Sequence, residues 1–279
     1  IKNKNNIKSN HKPNQFMNSV KKIKEYVKSG DIIQAVISQR WKTKFYNNPI
    51  DLYSTLRELN PSPYMFYIKN NSKYIIGASP EVLVRLENNI VESRPIAGTR
   101  PRGKDNKSDI KFEKELLNDP KEKAEHIMLV DLARNDISRV CQYGSVEVQN
   151  MMSVERYSHV MHIVSNVKGK LNKKYDAVDV FKSCFPAGTL SGAPKIRAMQ
   201  IISELEPNVR GPYGGSVGYI GFSGNMDMSI TIRSFYINGN DLYFQAGAGI
   251  VADSKPNMEL KETINKSGAM LKAIQKTNE

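Results

Sequence analysis

Apolar positions along this chain change period several times, and each change marks an element. Phe16, Val20, Ile23 and Val27 recur at intervals of three and four, the spacing of one helical face, and Gly30 ends that helix. Residues 32–41 read as a strand. Leu52, Leu56 and Leu59 predict a helix that stops at Asn60-Pro61, because the residue before a proline is driven out of the helical region. Residues 64–68 and 74–76 predict a hairpin around Asn70-Asn71-Ser72, and residues 82–86 and 90–92 a second around Asn88-Asn89. Residues 100–108 read as a charged loop. Asp119 then caps a helix with Pro120 in its first turn and Glu122 at the capping-box position, running to about residue 140. Residues 159–167 read as a strand and 189–195 as a small-residue loop, with Pro194 opening a helix over 195–205. The remainder predicts strands at 217–222, 228–237 and 242–248, a turn at Asn238-Gly239-Asn240, and a final helix. Helices that alternate with antiparallel hairpins predict an α+β fold rather than a doubly wound one.

The chain has 279 residues, room for one large domain or two small ones. Residues 1–13 are polar and rich in Lys and Asn, and are expected to be disordered or a linker remnant, with a single catalytic domain over 14–279. Because residue 1 is Ile, a fragment or processed form is expected. The net charge is +13, but the lysines are dispersed among Asn and Ile with no basic-aromatic block or zinc-finger spacing. A solvated Lys-rich surface is expected, not a nucleic-acid partner; its positive field would draw in a small dianion. No apolar run is long enough for a bilayer, and the polar start is not a signal peptide. Cys141 and Cys184 are too few for a disulfide scaffold, which favours a reducing, cytoplasmic setting.

The densest chemistry lies in residues 245–266, QAGAGIVADSKPNMELKETINK. Gly247, Ala248 and Gly249 let backbone approach a ligand closely. Glu259, Glu262 and Lys266 then share one face of a helix. Two carboxylates suit a hard cation such as Mg²⁺, and the ammonium suits an anion. Glu122 and Glu125 form a second such pair upstream. By spacing alone both pairs equally describe solvated helix faces, and capping by itself accounts for Glu122. Glu81 reads as a turn residue. On a strand over 159–167, His159 and His162 point to opposite faces, which argues against a two-histidine metal site. His126 beside Glu125 reads as structural. The loop at 188–195 is not a phosphate loop, since Lys195 follows Pro194 and precedes Ile196, although a helix N-terminus after small residues suits an anion.

Longer strings carry a resemblance: SPEVLVRL (79–86), RPIAGTRPRG (94–103), DPKEKAEHIMLVDLARND (119–136), YSHVMHIVS (157–165), PAGTLSGAPKIRAM (186–199), GPYGGSVGY (211–219), ITIRS (230–234), and QAGAGIV through NK (245–266). Over most of residues 15–275 the chain resembles the chorismate-binding domain of anthranilate synthase component I. The resemblance implies a four-layer α/β/β/α fold with two orthogonally packed antiparallel sheets. It implies Mg²⁺ ligated by Glu125 and Glu262, with Glu122 and Glu259 acting mostly through water. It makes Glu81 the acid that protonates the departing C4 hydroxyl of chorismate, and links His162 to elimination of pyruvate. It sets Thr189 against a substrate carboxylate, Tyr213 and Arg233 on the enolpyruvyl carboxylate, and Lys266 as a carboxylate partner. Gly98 and Gly249 become backbone contacts to substrate within the glycine-bearing segments. The family's N-terminal domain is expected to be missing from this stretch, and Asn60-Pro61-Ser62-Pro63-Tyr64-Met65 matches the catalytic-domain half of its tryptophan site.

Two positions separate the branches of this family. Where aminodeoxychorismate synthases carry a nucleophilic Lys, this chain has Ala97; where isochorismate and salicylate synthases carry a water-activating Lys, it has Gln34. The implied reaction adds ammonia at C2 with allylic loss of the C4 hydroxyl, then eliminates pyruvate to give anthranilate, the first committed step of tryptophan biosynthesis. Ammonia would come from glutamine through a separate amidotransferase subunit, component II, since neither cysteine has a defensible glutaminase setting here. The alternatives are an aminodeoxyisochorismate synthase, an aminodeoxychorismate synthase component I, or a non-catalytic chorismate- or tryptophan-binding module.

Overall fold

The computed structural model describes residues 7–157 and 160–278. In chain order the elements are β1 (Lys8–Ser9), α1 (Pro13–Lys28), β2 (Gln34–Lys44), α2 (Pro49–Leu59), β3 (Tyr64–Asn70), β4 (Lys73–Ser79), β5 (Val82–Glu87), β6 (Ile90–Ser93) and β7 (Ile96–Pro101). There follow α3 (Asn106–Asn118), α4 (Pro120–Ser138), β8 (Glu147–Arg156), β9 (Val160–Lys170), α5 (Ala177–Cys184) and a 3₁₀ turn (Gly188–Leu190). The last are β10 (Gly192–Ala193), α6 (Lys195–Leu205), β11 (Ser216–Ile220), β12 (Met226–Ile230), β13 (Ser234–Asn238), β14 (Asp241–Ile250) and α7 (Pro256–Thr277). The fold is α+β, with two antiparallel sheets and seven α-helices among the described residues.

The chain forms two compact units: Ile1–Pro80 with Pro186–Val217 and Ser229–Glu279, and Glu81–Phe185 with Gly218–Met228. The first unit holds the sheet ordered β1-β2-β14-β13-β4-β3, with β10 also on β2. Side chains alternate along β2 and β14. Ala35, Ile37 and Trp41 of β2, with Ala246, Ala248 and Ile250 of β14, belong to its two apolar clusters, which α1, α2, α6 and α7 complete through residues such as Phe16, Leu56, Ala198 and Ile274. Trp41 stacks on Phe244 with centroids 5.3 Å apart. On the alternate face Ser38 is paired with Gly247, and the Gln34 side chain lies beside Gly249.

The second sheet is ordered β11-β12-β5-β6-β9-β7, with β8 also on β9. In the second unit Leu116, Met161 and Ile163 form a core cluster beneath α3. Asp119 caps α4 by accepting from the backbone N–H groups of Lys121 and Glu122. Asn88 and Asn89 both take positive φ in the β5–β6 turn, at 51° and 64°, which suits the twist of a tight hairpin.

Four expectations change. Of residues 1–13, the first six lie outside the described residues; Lys8–Ser9 pair with β2 and His11 is buried, so this part is ordered where disorder was expected. The loop expected at 100–108 shortens, because β7 extends to Pro101 and α3 starts at Asn106, capped by Asp105 and Ser108. Glu122 makes no capping box; its carboxylate goes to Arg100. The single strand expected over 228–237 breaks between β12 and β13, where Arg233 takes φ 50°.

Candidate functional site

The candidate residues divide between the units. In the second unit, Glu81 is half-buried immediately before β5. Gly98 forms a bulge in the β7–β9 ladder, where Ala97 faces Ile163 and Thr99 faces His162. Its φ of 62° is open to glycine, and a Cβ there would lie 2.8 Å from Leu116 Cδ1 and 3.2 Å from Glu122 Oε2. The bulge turns the Gly98 carbonyl toward His162, whose Nδ1 lies 2.9 Å from it and 3.1 Å from Thr99 Oγ1. A carbonyl only accepts, so Nδ1 donates to it. Tyr157 meets the ring edge-on at 5.6 Å and donates to Glu155. Burial, together with that hydrogen bond, pushes the Tyr157 phenol up to about 12. His159 lies outside the described residues, so its facing relative to His162 stays an expectation.

Glu122 and Glu125 lie on the first turns of α4, both half-buried. Arg100 bridges Glu122 at 3.1 Å and the capping residue Asp119 at 2.8 Å. His126, next along the helix, is buried against Ser165 Oγ at 2.7 Å, and burial lowers its pKa to about 4. That accords with a structural role.

In the first unit, Gly247 faces Ser38 across the β2–β14 ladder. A Cβ on Gly247 would sit 2.9 Å from Ile37 O and 3.0 Å from the Tyr213 hydroxyl, and one on Gly249 would sit 2.7 Å from Gln34 Nε2. Gly247 therefore needs glycine for space against backbone, while at Gly249 the neighbour is the end of the Gln34 side chain. Ala248 points the other way, into the helix-facing core. From α7, Lys266 donates to the Gly247 carbonyl at 3.1 Å and pairs with Glu262 at 2.7 Å, while Glu259 is buried one turn earlier. Thr189 is half-buried on the 3₁₀ turn.

Arg233 and Tyr213 differ most from a plain strand reading. Tyr213 is buried in a turn bounded by Gly211 and Gly214, both at positive φ. Arg233 is half-buried at the break between β12 and β13, and among the described residues no carboxylate pairs with its guanidinium. Burial lowers its pKa from the usual value, and Tyr213 partly offsets that. A desolvated cation on strained backbone, beside a buried phenol, is arranged to receive an anion.

Sequence reasoning missed the polar network beside it. Arg210 donates to both oxygens of Glu206, at 2.9 and 2.7 Å, and to the carbonyls of Leu190 and Val36, at 2.5 and 2.6 Å. Glu206 in turn accepts from Ser38 N at 2.8 Å and Ser38 Oγ at 2.7 Å, and Gln245 donates to Ser38 Oγ. The Glu206/Arg210 spacing was a signal, but α6 ends at Leu205 and Pro207 intervenes, so no helical pairing could be read from it.

A model of chorismate binding enzymes matches residues 2–272. This chain belongs to the chorismate-binding enzyme family. It is 58% identical over 270 residues to anthranilate synthase component 1 of Aquifex aeolicus, covering 97% of this chain and 55% of that one. To the same component of Acetivibrio thermocellus it is 54% identical over 273 residues, covering 98% and 55%. The crystal structure of anthranilate synthase component I from Streptococcus pneumoniae superposes with a TM-score of 0.89 at 44% identity, over 95% of this chain and 59% of that one. A putative 2,3-dihydroxybenzoate-specific isochorismate synthase from Bacillus anthracis superposes at 0.86 with 31% identity, covering 97% of this chain and 74% of that one. The chain thus spans about half the length of the curated relatives it matches. Among the described residues, no helix is long and apolar enough to cross a membrane.

A divalent cation is tested by the donors present. Glu122, Glu125, Glu259 and Glu262 offer only carboxylate oxygens, the donor type that Mg²⁺ prefers. Among the described residues no group of three or more His, Cys, Asp or Glu is gathered for a metal, and Glu122 and Glu262 each hold a basic partner. The donors fit in kind.

Proposed function

We propose that this chain converts chorismate and ammonia to anthranilate and pyruvate, as component I of an anthranilate synthase in tryptophan biosynthesis. The carrying observation is Arg233: a half-buried guanidinium beside Tyr213, with no carboxylate partner among the described residues, suits the enolpyruvyl carboxylate. Ala97 and Gln34, where other branches carry lysines, favour direct attack by ammonia.

Chorismate is a dianion. Arg233 and Tyr213 would hold the enolpyruvyl carboxylate, Thr189 and the backbone at Gly98, Gly247, Ala248 and Gly249 would fit the substrate closely, and Lys266 would serve as a second cationic partner. Glu81 would give its proton to the C4 oxygen, so that the hydroxyl leaves as water while ammonia bonds to C2. The C2 proton must then depart as the enolpyruvyl group leaves as pyruvate and the ring aromatises. His162, oriented by the Gly98 carbonyl at Nδ1, is the proposed base for that second step. Bound Mg²⁺ would neutralise the ring carboxylate and help orient it; Glu125 and Glu262 are the proposed direct ligands, with Glu122 and Glu259 acting through water. A glutamine amidotransferase is the proposed ammonia source, and the cytoplasm the proposed compartment.

The test is chromatography of the products from chorismate, Mg²⁺ and excess ammonium at mildly alkaline pH. Anthranilate with equimolar pyruvate is expected. Aminodeoxyisochorismate as the sole product would move the chain to a synthase that stops before elimination, and no chorismate consumption would sink the reading.

A further inference from the structure

We infer that the Arg210–Glu206 ion pair is the positioning element of the carboxylate-gripping half-site: it fixes Thr189, Tyr213 and Gly247 relative to one another without itself touching substrate. The substrate part of this inference rests on the function proposed above.

The first unit carries two poorly exposed guanidinium groups in opposite states. Arg233 has no carboxylate partner among the described residues. Arg210 is largely committed: Nε and Nη2 grip Glu206, Nη1 holds Leu190 O, and Nη2 also holds Val36 O. With its charge neutralised by Glu206 and four of its five N–H donors taken, Arg210 is a poor candidate for a substrate anion.

The bonds of this pair lead to site residues. Leu190 follows Thr189 on the 3₁₀ turn, so the bond at 2.5 Å fixes where that turn sits. The Arg210 guanidinium carbon lies 5.6 Å from the Tyr213 ring centroid, over its face. Glu206 passes the constraint to β2 through Ser38, which takes both an N–H and an O–H bond to Oε1. Ser38 is the cross-strand neighbour of Gly247, whose missing Cβ leaves room for the Tyr213 hydroxyl. One rigid fork thus joins a turn, a strand and a ring that are distant in sequence. The ammonium of lysine carries the same charge but cannot reproduce the fork.

Arg210→Lys and Glu206→Gln in the full chain provide the test, with melting temperature, kcat and the KM for chorismate measured together. For residues that grip the substrate throughout the reaction, misplacement raises KM about tenfold or more and changes kcat less than about threefold. A merely structural pair would lower the melting temperature and the active fraction, hence the apparent kcat, and leave KM within about twofold of the parent; that result overturns the inference. A second readout needs no turnover. The ¹⁹F resonance of 3-fluorotyrosine at position 213, assigned by its loss in Tyr213→Phe, should shift in Arg210→Lys while the other tyrosine resonances hold. An unmoved resonance overturns the positioning role. Failure of the parent chain to bind or consume chorismate instead overturns the functional reading, and the fluorine readout still decides whether the pair places Tyr213.

Discussion

The His162 imidazole donates from Nδ1 to the carbonyl oxygen of Gly98, at 2.9 Å. A glycine bulge therefore orients the ring. If His162 removes the proton at the second step, His162→Phe should let the aminated intermediate accumulate while chorismate is still consumed. Anthranilate formation should fall by roughly 10²- to 10⁴-fold, the usual contribution of a positioned base. Loss of chorismate consumption with no intermediate would refute the assignment.

Gly98→Ala should disturb the same ring from the backbone side. Its φ is positive, and the new methyl would meet Leu116 at 2.8 Å and the Glu122 carboxylate at 3.2 Å. A destabilisation of roughly 1–3 kcal/mol is expected from strain and overpacking together. Urea denaturation measures it, and an unchanged midpoint would show that the bulge tolerates a side chain.

Glu262→Gln removes a charge whose visible partner is Lys266, at 2.7 Å and close to half exposed. An exposed pair of this kind is worth about 0–1 kcal/mol, so the melting temperature should hardly move. Turnover should nonetheless lose its dependence on Mg²⁺ and become negligible. Full activity with an unchanged Mg²⁺ titration would exclude Glu262 as a ligand.

Asp109 is held by the Arg102 fork and by the Gly103 N–H, which lower its carboxyl to about 2. A depressed carboxylate pKa stabilises the folded state above the unfolded value of 3.8, and that stabilisation fades as pH falls toward 2. Asp109→Asn should therefore be less stable than the parent at neutral pH, with the gap narrowing below about pH 4. A gap independent of pH would mean that packing, not charge, links Arg102 to this helix.

Much of the fold was legible because the signals were local. Phe16, Val20 and Ile23 lie on the buried face of α1, Asp119 caps α4, and paired asparagines mark the β5–β6 turn. The strand break at Arg233 was not legible: residues 228–237 form an apolar-rich run with no Gly or Pro, and the positive φ of an arginine is imposed by tertiary contacts such as the Ala78 N–H on its carbonyl. The same holds for Glu206 and Arg210, whose acceptors on β2 and the 3₁₀ turn are remote in sequence. Helix α3 and strand β8 went unread because Lys and Glu dilute the first and Asn, Gln and Ser the second. The site residues became legible as long motifs, not as isolated spacings.

The first unit is assembled from three separate stretches of chain, while residues 81–185 of the second run without interruption. Strand β14 lies between β2 and β13, and the Gln245–Ser38 hydrogen bond joins residues 207 positions apart. During synthesis the edge of β2 that pairs with β14 must wait for that partner until nearly all of the chain has been made. The uninterrupted stretch has most of its own partners far sooner, so its contacts start to form while that edge of β2 is still unpaired. A nascent chain stalled near residue 190 is then the state in which that edge is most open to the wrong partner.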